Sequence, residues 1–95
     1  MSMDERELKA AVEAIIFASG EPVPAARISL VLGVPEAEIY ACAEKLAEEY
    51  ESGGRGIRLV KLDKSLQLCS APQYAKQIAR VIEHRAPPRL SPPAL

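Results

Sequence analysis

The sequence contains few of the side chains on which enzymes depend. Its 95 residues include one histidine, no tryptophan, and two cysteines that do not form a C-x-x-C pair. His84 falls at the predicted end of a helix, where a partly positive imidazole suits the helix dipole without any catalytic role. The glycine-containing turn at residues 52–56 lacks the lysine and hydroxyl side chain that end a phosphate-binding loop. We therefore expect no enzymatic activity, no cofactor, and no metal or small-molecule site.

Long apolar runs are also absent. The longest uninterrupted one is residues 14–18, far shorter than the roughly 20 residues of a membrane-spanning helix. The N-terminal segment has no long apolar stretch behind a basic start, as an export signal would. Cys42 and Cys69 are interpreted as two reduced thiols that act as small core hydrophobes, with one disulfide as the alternative. These features predict a cytoplasmic protein without membrane association.

Aromatic residues make up only 4% of the chain, whereas apolar residues make up 48%. The predicted core is therefore built mainly from Leu, Ile, Val and Ala. The length predicts one compact domain, since domains usually comprise about 100 to 150 residues. We place this domain at residues 1–84 and interpret the proline-rich segment 85–95 as a linker.

Hydrophobic periodicity predicts three helices in the first half of the chain. A capping box formed by Asp4 and Glu7 begins the first helix, which ends near Gly20. A short second helix stops at Gly33, and a longer third helix opens at Pro35 and ends around residues 52–54.

The period changes to that of two β-strands between residues 57 and 68, with a turn at residues 63–65. A fourth helix then begins around Pro72, with a second capping box predicted from Ser70 and Gln73. Its apolar stripe comprises Tyr74, Ile78, Val81 and Ile82. Three helices, a two-stranded hairpin and a further helix form the α+β order of a winged helix-turn-helix domain. Because such domains serve both as DNA readers and as protein-docking modules, the fold does not assign the function.

The charges are segregated along the chain, although the net charge is only −1. Residues 35–51, which contain the third helix, carry one lysine against six glutamates, a net charge of −5. A helix that enters a DNA groove needs side chains that meet phosphates and base edges. Negative charge disfavours that approach. The acidity of the third helix therefore argues against a winged-helix transcriptional regulator that binds DNA. We keep that function as the alternative hypothesis.

The C-terminal half is basic, since residues 52–95 carry eight basic residues against two acidic ones, a net charge of +6. Four of these basic residues lie in or beside the predicted wing: Arg55, Arg58, Lys61 and Lys64. A wing can contact phosphate without the recognition helix. The four residues therefore indicate either weak, nonspecific contact with nucleic acid or ordinary surface charge.

Apolar side chains fall on both faces of the predicted hairpin, with Ile57 and Leu59 on one and Val60 and Leu62 on the other. Because one core covers only one face of a hairpin, the surplus marks a partner site. The alternative is a β-bulge that turns all four side chains toward the core. Tyr40 in the third helix and Leu30 and Val31 in the second are further candidates. We predict a homodimer with an interface that includes Val60, Leu62, Tyr40 and Leu30.

Several segments resemble the segregation and condensation protein B (ScpB) family. Residues 13–23, EAIIFASGEPV, resemble the opening of that family, and LAEEY at 46–50, RGIRL at 55–59, PQYA at 72–75 and PPRLS at 87–91 resemble later parts. The chain differs at residues 63–65, where the family tends to have glycines.

The resemblance implies a non-enzymatic subunit of the bacterial SMC–ScpA–ScpB complex, which acts in chromosome condensation and segregation at the nucleoid. It implies a homodimer formed by this first winged-helix domain, with the kleisin ScpA, and through it the SMC ATPase, as partners. In the family pattern the ScpA contacts are attributed more to a second winged-helix domain, which is absent here and would begin near residue 91.

Overall fold

The computed structural model describes residues 3–85. Its elements are helix α1 (Glu5–Ser19), strand β1 (Val23–Pro24), helix α2 (Ala25–Leu32), helix α3 (Glu36–Ser52), strands β2 (Ile57–Leu62) and β3 (Ser65–Ser70), a 3₁₀ turn (Pro72–Tyr74) and helix α4 (Ala75–Arg85). The predicted α+β winged-helix order is confirmed, with β1 as an addition. Helix α4 continues one residue past the predicted domain boundary at residue 84. The rest of the predicted linker lies outside the described residues.

The helix ends follow local sequence signals. The predicted capping box is present, because the Glu7 backbone N–H donates to Asp4 Oδ1 at 2.8 Å and Asp4 N–H donates to Glu7 Oε1 at 3.3 Å. Gly20 and Gly33 follow α1 and α2 with φ of 69° and 71°, a left-handed conformation that favours glycine. The second predicted capping box is wrong, since Ala71 precedes the 3₁₀ turn and no side chain caps it.

The three strands form an antiparallel sheet in the order β1-β3-β2. Strands β2 and β3 pair without interruption from Ile57 opposite Ser70 to Leu62 opposite Ser65, so the predicted bulge is absent. Asp63 adopts a φ of 58° at the turn, which aspartate tolerates better than most residues. It can therefore replace the glycine that the family pattern favours there.

The core lies between the three N-terminal helices and the inner face of the sheet. Its buried members are Leu8, Val12, Ile16, Val23, Ala25, Ile28, Ile39, Cys42, Ala43, Leu46, Tyr50, Leu59 and Leu66. Cys42 and Cys69 are both free, so the disulfide alternative is wrong. The prediction that both thiols lie in the core is confirmed for Cys42, which is buried. It is wrong for Cys69, which is exposed. Within residues 3–85, no helix is both long and apolar enough to span a membrane.

Candidate protein-interaction surfaces

The outer face of the wing carries two of the predicted interface residues. Leu59 points inward and is buried, whereas Val60 and Leu62 lie on the opposite face. Leu62 is 45% exposed, and Val60 is half-buried opposite Gln67. The unbroken register therefore leaves apolar side chains on the outer face, and the bulge interpretation of these residues is wrong.

Helix α2 presents the third predicted interface residue. Its Ala25 and Ile28 are buried in the core, whereas Leu30 is 82% exposed and the adjacent Val31 is 70% exposed. Such large exposed fractions show that neither Leu30 nor Val31 is needed to complete the core of the single chain.

Tyr40, the fourth predicted interface residue, links α3 to the wing. Its ring is half-buried against the core, and the Lys61 ammonium lies 4.7 Å from the ring centre, within cation–π range. The Tyr40 hydroxyl donates to the backbone carbonyl oxygen of Lys64 across a long 3.5 Å. Much of this side chain therefore serves contacts within the chain, and only its exposed edge is available to a partner.

Two of the four basic residues of the wing make contacts within the chain. The Arg58 guanidinium donates to the backbone carbonyls of Arg55 at 3.0 Å and Ile57 at 3.3 Å, and Lys61 lies over the Tyr40 ring. Arg55 and Lys64 are exposed. Strand β2 packs against α3, whose net charge is −5, so the field of that helix opposes the attraction of the wing for phosphate.

A groove between the end of α1 and the sheet was not predicted. We call it the α1–wing groove; its volume is about 290 Å³. Its lining residues are Ile16, Phe17, Gly20, Glu21, Ile57, Gln67, Leu68, Cys69 and Ser70. Phe17 is 77% exposed and Ile57 is 36% exposed. The sequence contained one signal for this surface, because the only phenylalanine of the chain lies directly after Ile16 and outside the buried stripe of α1.

Helix α4 is amphipathic as predicted, but its apolar stripe is not covered. Tyr74 is 43% exposed, Val81 is 65% exposed and Ile82 is 51% exposed, while Ile78 is half-buried. The main contact of α4 within the described chain is with the 3₁₀ turn before it. The periodicity therefore identified the correct face of α4 but not its lack of a neighbour.

Helices α1 and α3 are joined by polar contacts that the sequence analysis missed. The Tyr50 hydroxyl donates to Glu13 Oε2 at 2.5 Å. Burial, and then this hydrogen bond to a carboxylate, raises the pKa of Tyr50 above its ordinary value near 10. Two ion pairs, Lys9 with Glu49 and Lys45 with Glu5, also connect the helices. Tyr50 is therefore a structural link between the helices.

The buried Cys42 is a weak candidate nucleophile. Burial raises the pKa of the Cys42 thiol, which lowers its thiolate fraction and so its nucleophilicity. Among residues 3–85, no three side chains of the His, Cys, Asp and Glu types are placed to hold a metal ion. The conspicuous surfaces are apolar and suited to association.

Comparison with known protein families identifies the family of this chain. The sequence model described as "Segregation and condensation complex subunit ScpB" matches residues 10–95. The chain belongs to the ScpB family. The resemblance in residues 13–23 and in the later segments is thereby confirmed.

Individual ScpB relatives match almost the whole chain. Segregation and condensation protein B of Syntrophotalea carbinolica is 38% identical over 93 residues, which cover 98% of this chain and 47% of that protein. The protein of the same name from Clostridioides difficile is 31% identical over 91 residues, covering 94% of this chain and 51% of the relative. The chain thus spans about half the length of the curated relatives it matches.

Solved ScpB structures share the fold. ScpB from Mycobacterium tuberculosis matches with a TM-score of 0.87 at 21% identity, covering 96% of this chain and 57% of that one, and this likeness supports the fold alone. A dimer of the ScpB N-terminal domain complexed with ScpA peptide matches with a TM-score of 0.75 at 32% identity. That match covers 80% of this chain and 95% of the solved chain.

Proposed function

We propose that this chain is the homodimerising N-terminal winged-helix domain of a ScpB subunit that acts in chromosome condensation and segregation. The observation that carries the proposal is its match to nearly the whole of a solved ScpB N-terminal domain that is itself a dimer. The apolar side chains on the outer wing face and on α2 support the same role, because contiguous exposed apolar surface commonly marks a partner site. The role is structural and non-enzymatic.

The partners proposed for this domain follow from the same relative, which was solved with a ScpA peptide. We propose that this domain contributes to ScpA binding, although the family pattern led us to attribute those contacts more to a second domain. ScpA would connect ScpB to the SMC ATPase in the cytoplasm, at the nucleoid. Since the relatives are about twice as long, we further propose that a second winged-helix domain follows residues 85–95 in the full subunit.

The interface that we propose includes Leu62, Val60, Leu30 and the exposed edge of Tyr40. Leu30 and Leu62 support this assignment best, because they are 82% and 45% exposed and neither belongs to the core. Tyr40 supports it least, because its ring already contacts Lys61 and the core.

Sedimentation equilibrium of the purified domain tests the homodimer. We expect a dimer at micromolar concentration, and Leu62→Glu should weaken it about tenfold or more, because a carboxylate would be placed in an apolar contact. At a concentration at which the parent chain is also monomeric, the thermal unfolding of Leu62→Glu should stay close to that of the parent chain, since Leu62 is outside the core. The matched variant Leu59→Glu should unfold the domain instead. A parent chain that remains monomeric at high micromolar concentration would contradict the proposal.

Weak, nonspecific contact with nucleic acid is a secondary proposal, supported by the exposed Arg55 and Lys64. Gel mobility of a DNA duplex at about 150 mM salt separates it from the regulator hypothesis, since nonspecific binding is weak and declines steeply with salt. We expect no retardation at that salt concentration and slight retardation at low salt, which Arg55→Ala with Lys64→Ala should abolish. Tight, sequence-selective retardation would favour a transcriptional regulator.

A further inference from the structure

Strand β2 is an edge of the sheet, and its inner face packs against helix α3. In the strand order β1-β3-β2, only β3 pairs with β2. The Ala71 N–H donates to the Gly56 carbonyl at 2.8 Å, and the hydrogen-bonded positions of an antiparallel ladder alternate along each strand. Arg58, Val60 and Leu62 therefore bond to β3. The N–H and C=O groups of the residues between them face away from β3, toward the free edge.

Beside this edge, α3 and the inner face of the sheet border an apolar groove of about 120 Å³, which we call the α3–wing groove. Its lining residues are Tyr40, Ala43, Glu44, Ala47, Leu59, Lys61 and Leu66. The core residues Leu59 and Leu66 form its floor. At the end nearest the hairpin turn, the Lys61 ammonium lies 4.7 Å from the centre of the Tyr40 ring. The groove has room for one aliphatic side chain that enters past the edge of β2.

The rim of this groove on α3 is acidic. Glu44 lines the groove, and Glu48 and Glu51 follow it at helical spacing along the same side of α3. All three side chains are exposed. Within residues 3–85, the ion pairs of α3 use Glu49 and Lys45, which reach toward α1. Neither pair includes a carboxylate of the rim, so the rim favours a partner that supplies positive charge.

We propose that an extended segment of a different protein pairs with the free edge of β2 as a fourth strand, places an apolar side chain in the α3–wing groove, and sets a Lys or Arg side chain against the acidic rim. Strand addition of this kind takes its affinity from main-chain hydrogen bonds and its specificity from pockets for alternate side chains.

The geometry allows one segment to make all three contacts, because alternate residues of a strand point to the same face. A residue opposite Leu59 points toward α3 and reaches the groove. The residue two positions along lies opposite Ile57, close to where the short link 53–56 joins the end of α3 to β2. Glu48 and Glu51 lie near that end of the helix. The apolar and the basic side chain are therefore separated by one residue.

The charge of β2 disfavours a second copy of this strand as the occupant. Its sequence IRLVKL contains Arg58 and Lys61 and no acidic residue. Two such edges side by side would bring like charges together, and charged side chains on an edge strand prevent self-pairing. The contact is also separate from the proposed homodimer, since Val60 and Leu62 lie on the outer face of the sheet. Of the four proposed interface residues, only Tyr40 also lines the groove.

NMR titration of the isotope-labelled chain with two synthetic peptides tests the strand addition. Each peptide has about eight residues, the length of an ordinary strand, with Thr at alternate positions and Val, Leu and Arg between them. One carries Leu before Arg and the other Arg before Leu, which covers the antiparallel and the parallel strand. We expect one of them to shift the amide signals of Ala47, Leu59 and Lys61 saturably. Methylation of the peptide nitrogens that face β2 should weaken binding about tenfold or more, and methylation on the other edge much less.

Variants of α3 separate the groove from the rest of the helix. Ala47→Leu fills the groove and Glu48→Lys reverses a charge of the rim, and each should weaken peptide binding about tenfold or more. The matched controls Ala41→Leu and Glu38→Lys make the same changes on the side of α3 that faces α1, and should change the affinity less than about twofold. Thermal unfolding of all four variants checks that each remains folded.

Peptide binding and sedimentation are read separately. Shifts at Leu59 and Lys61 that are lost in both Ala47→Leu and Glu48→Lys support the proposal. If neither peptide binds at up to about 1 mM, or if the shifts occur only elsewhere in the chain, the proposal is wrong. If Leu59 and Lys61 shift when the chain alone is concentrated, a second copy occupies the edge and the proposal is equally wrong. Sedimentation of the same samples reports the homodimer, which stands or fails independently of the peptides.

Discussion

Helices α1 and α4 carry the same kind of pattern and have different surroundings. In α1, the stripe of Leu8, Val12 and Ile16 is buried against α3 and the sheet. In α4, Val81 and Ile82 lie on an equally regular stripe and are more than half exposed. The difference shows that helical periodicity identifies the face that favours an apolar neighbour, whereas the position of the helix in the chain decides whether its own domain supplies one.

Polar contacts increase the contrast between the two helices. The capping box at Asp4 holds the start of α1, and the hydrogen bond from Tyr50 to Glu13 joins its middle to α3. The 3₁₀ turn before α4 has no side-chain cap. Because local opening occurs most readily where few buried contacts exist, α4 should be the least protected helix of the isolated monomer and α1 among the most protected.

The largest expected effect compares two isoleucines. Ile16→Ala should lower the free energy of unfolding by about 2–5 kcal/mol, because it leaves a cavity in a packed core. Ile82→Ala should lower it by less than about 0.5 kcal/mol, since it truncates an exposed side chain. Urea unfolding should be measured at a concentration at which the chain is monomeric. Equal losses would show that α4 is covered within the single chain.

The second prediction compares how the stability of the parent chain and of Tyr50→Phe changes at alkaline pH. Because the pKa of Tyr50 is raised in the folded state, its contribution to stability is fully present below about pH 10, the unfolded value. That contribution declines as the pH rises above 10, by at most about 1.4 kcal/mol per pH unit. Tyr50→Phe lacks the titrating group, so its free energy of unfolding should decline less steeply than that of the parent chain between neutral pH and pH 11. Urea unfolding at a series of pH values measures both slopes. Identical slopes would contradict this role of the Tyr50 hydroxyl.

The smallest of these effects concerns the start of α1. Asp4→Ala removes the acceptor for the Glu7 N–H and should lower the free energy of unfolding by about 1 kcal/mol. Asp4→Asn keeps an acceptor oxygen and should lose much less, which makes it the matched control. If both variants match the parent chain in urea unfolding, the cap does not stabilise α1, and one of the differences between α1 and α4 is removed.

Local signals of the sequence predicted the helices because those signals act over a few residues. Asp4 with Glu7 begins α1, Gly20 and Gly33 end two helices, and the change from helical to strand periodicity occurs at Ile57, as predicted. The acidity of α3 also follows from composition alone. Strand β1 was missed because two residues, one of them a proline, have no detectable period, and their pairing depends on a β3 that lies far along the chain.

The sequence by itself determined the order of the helices and of the hairpin, the family, and the presence of more apolar residues than one small core can bury. The tertiary structure alone decided which apolar residues are surplus: Phe17 lies in the α1–wing groove, the stripe of α4 has no cover, and Cys69 is exposed. It also decided that β2 and β3 pair without a bulge and that Tyr40 contacts Lys61. The physical reason is that capping and periodicity are short-range properties, whereas burial depends on which distant elements meet.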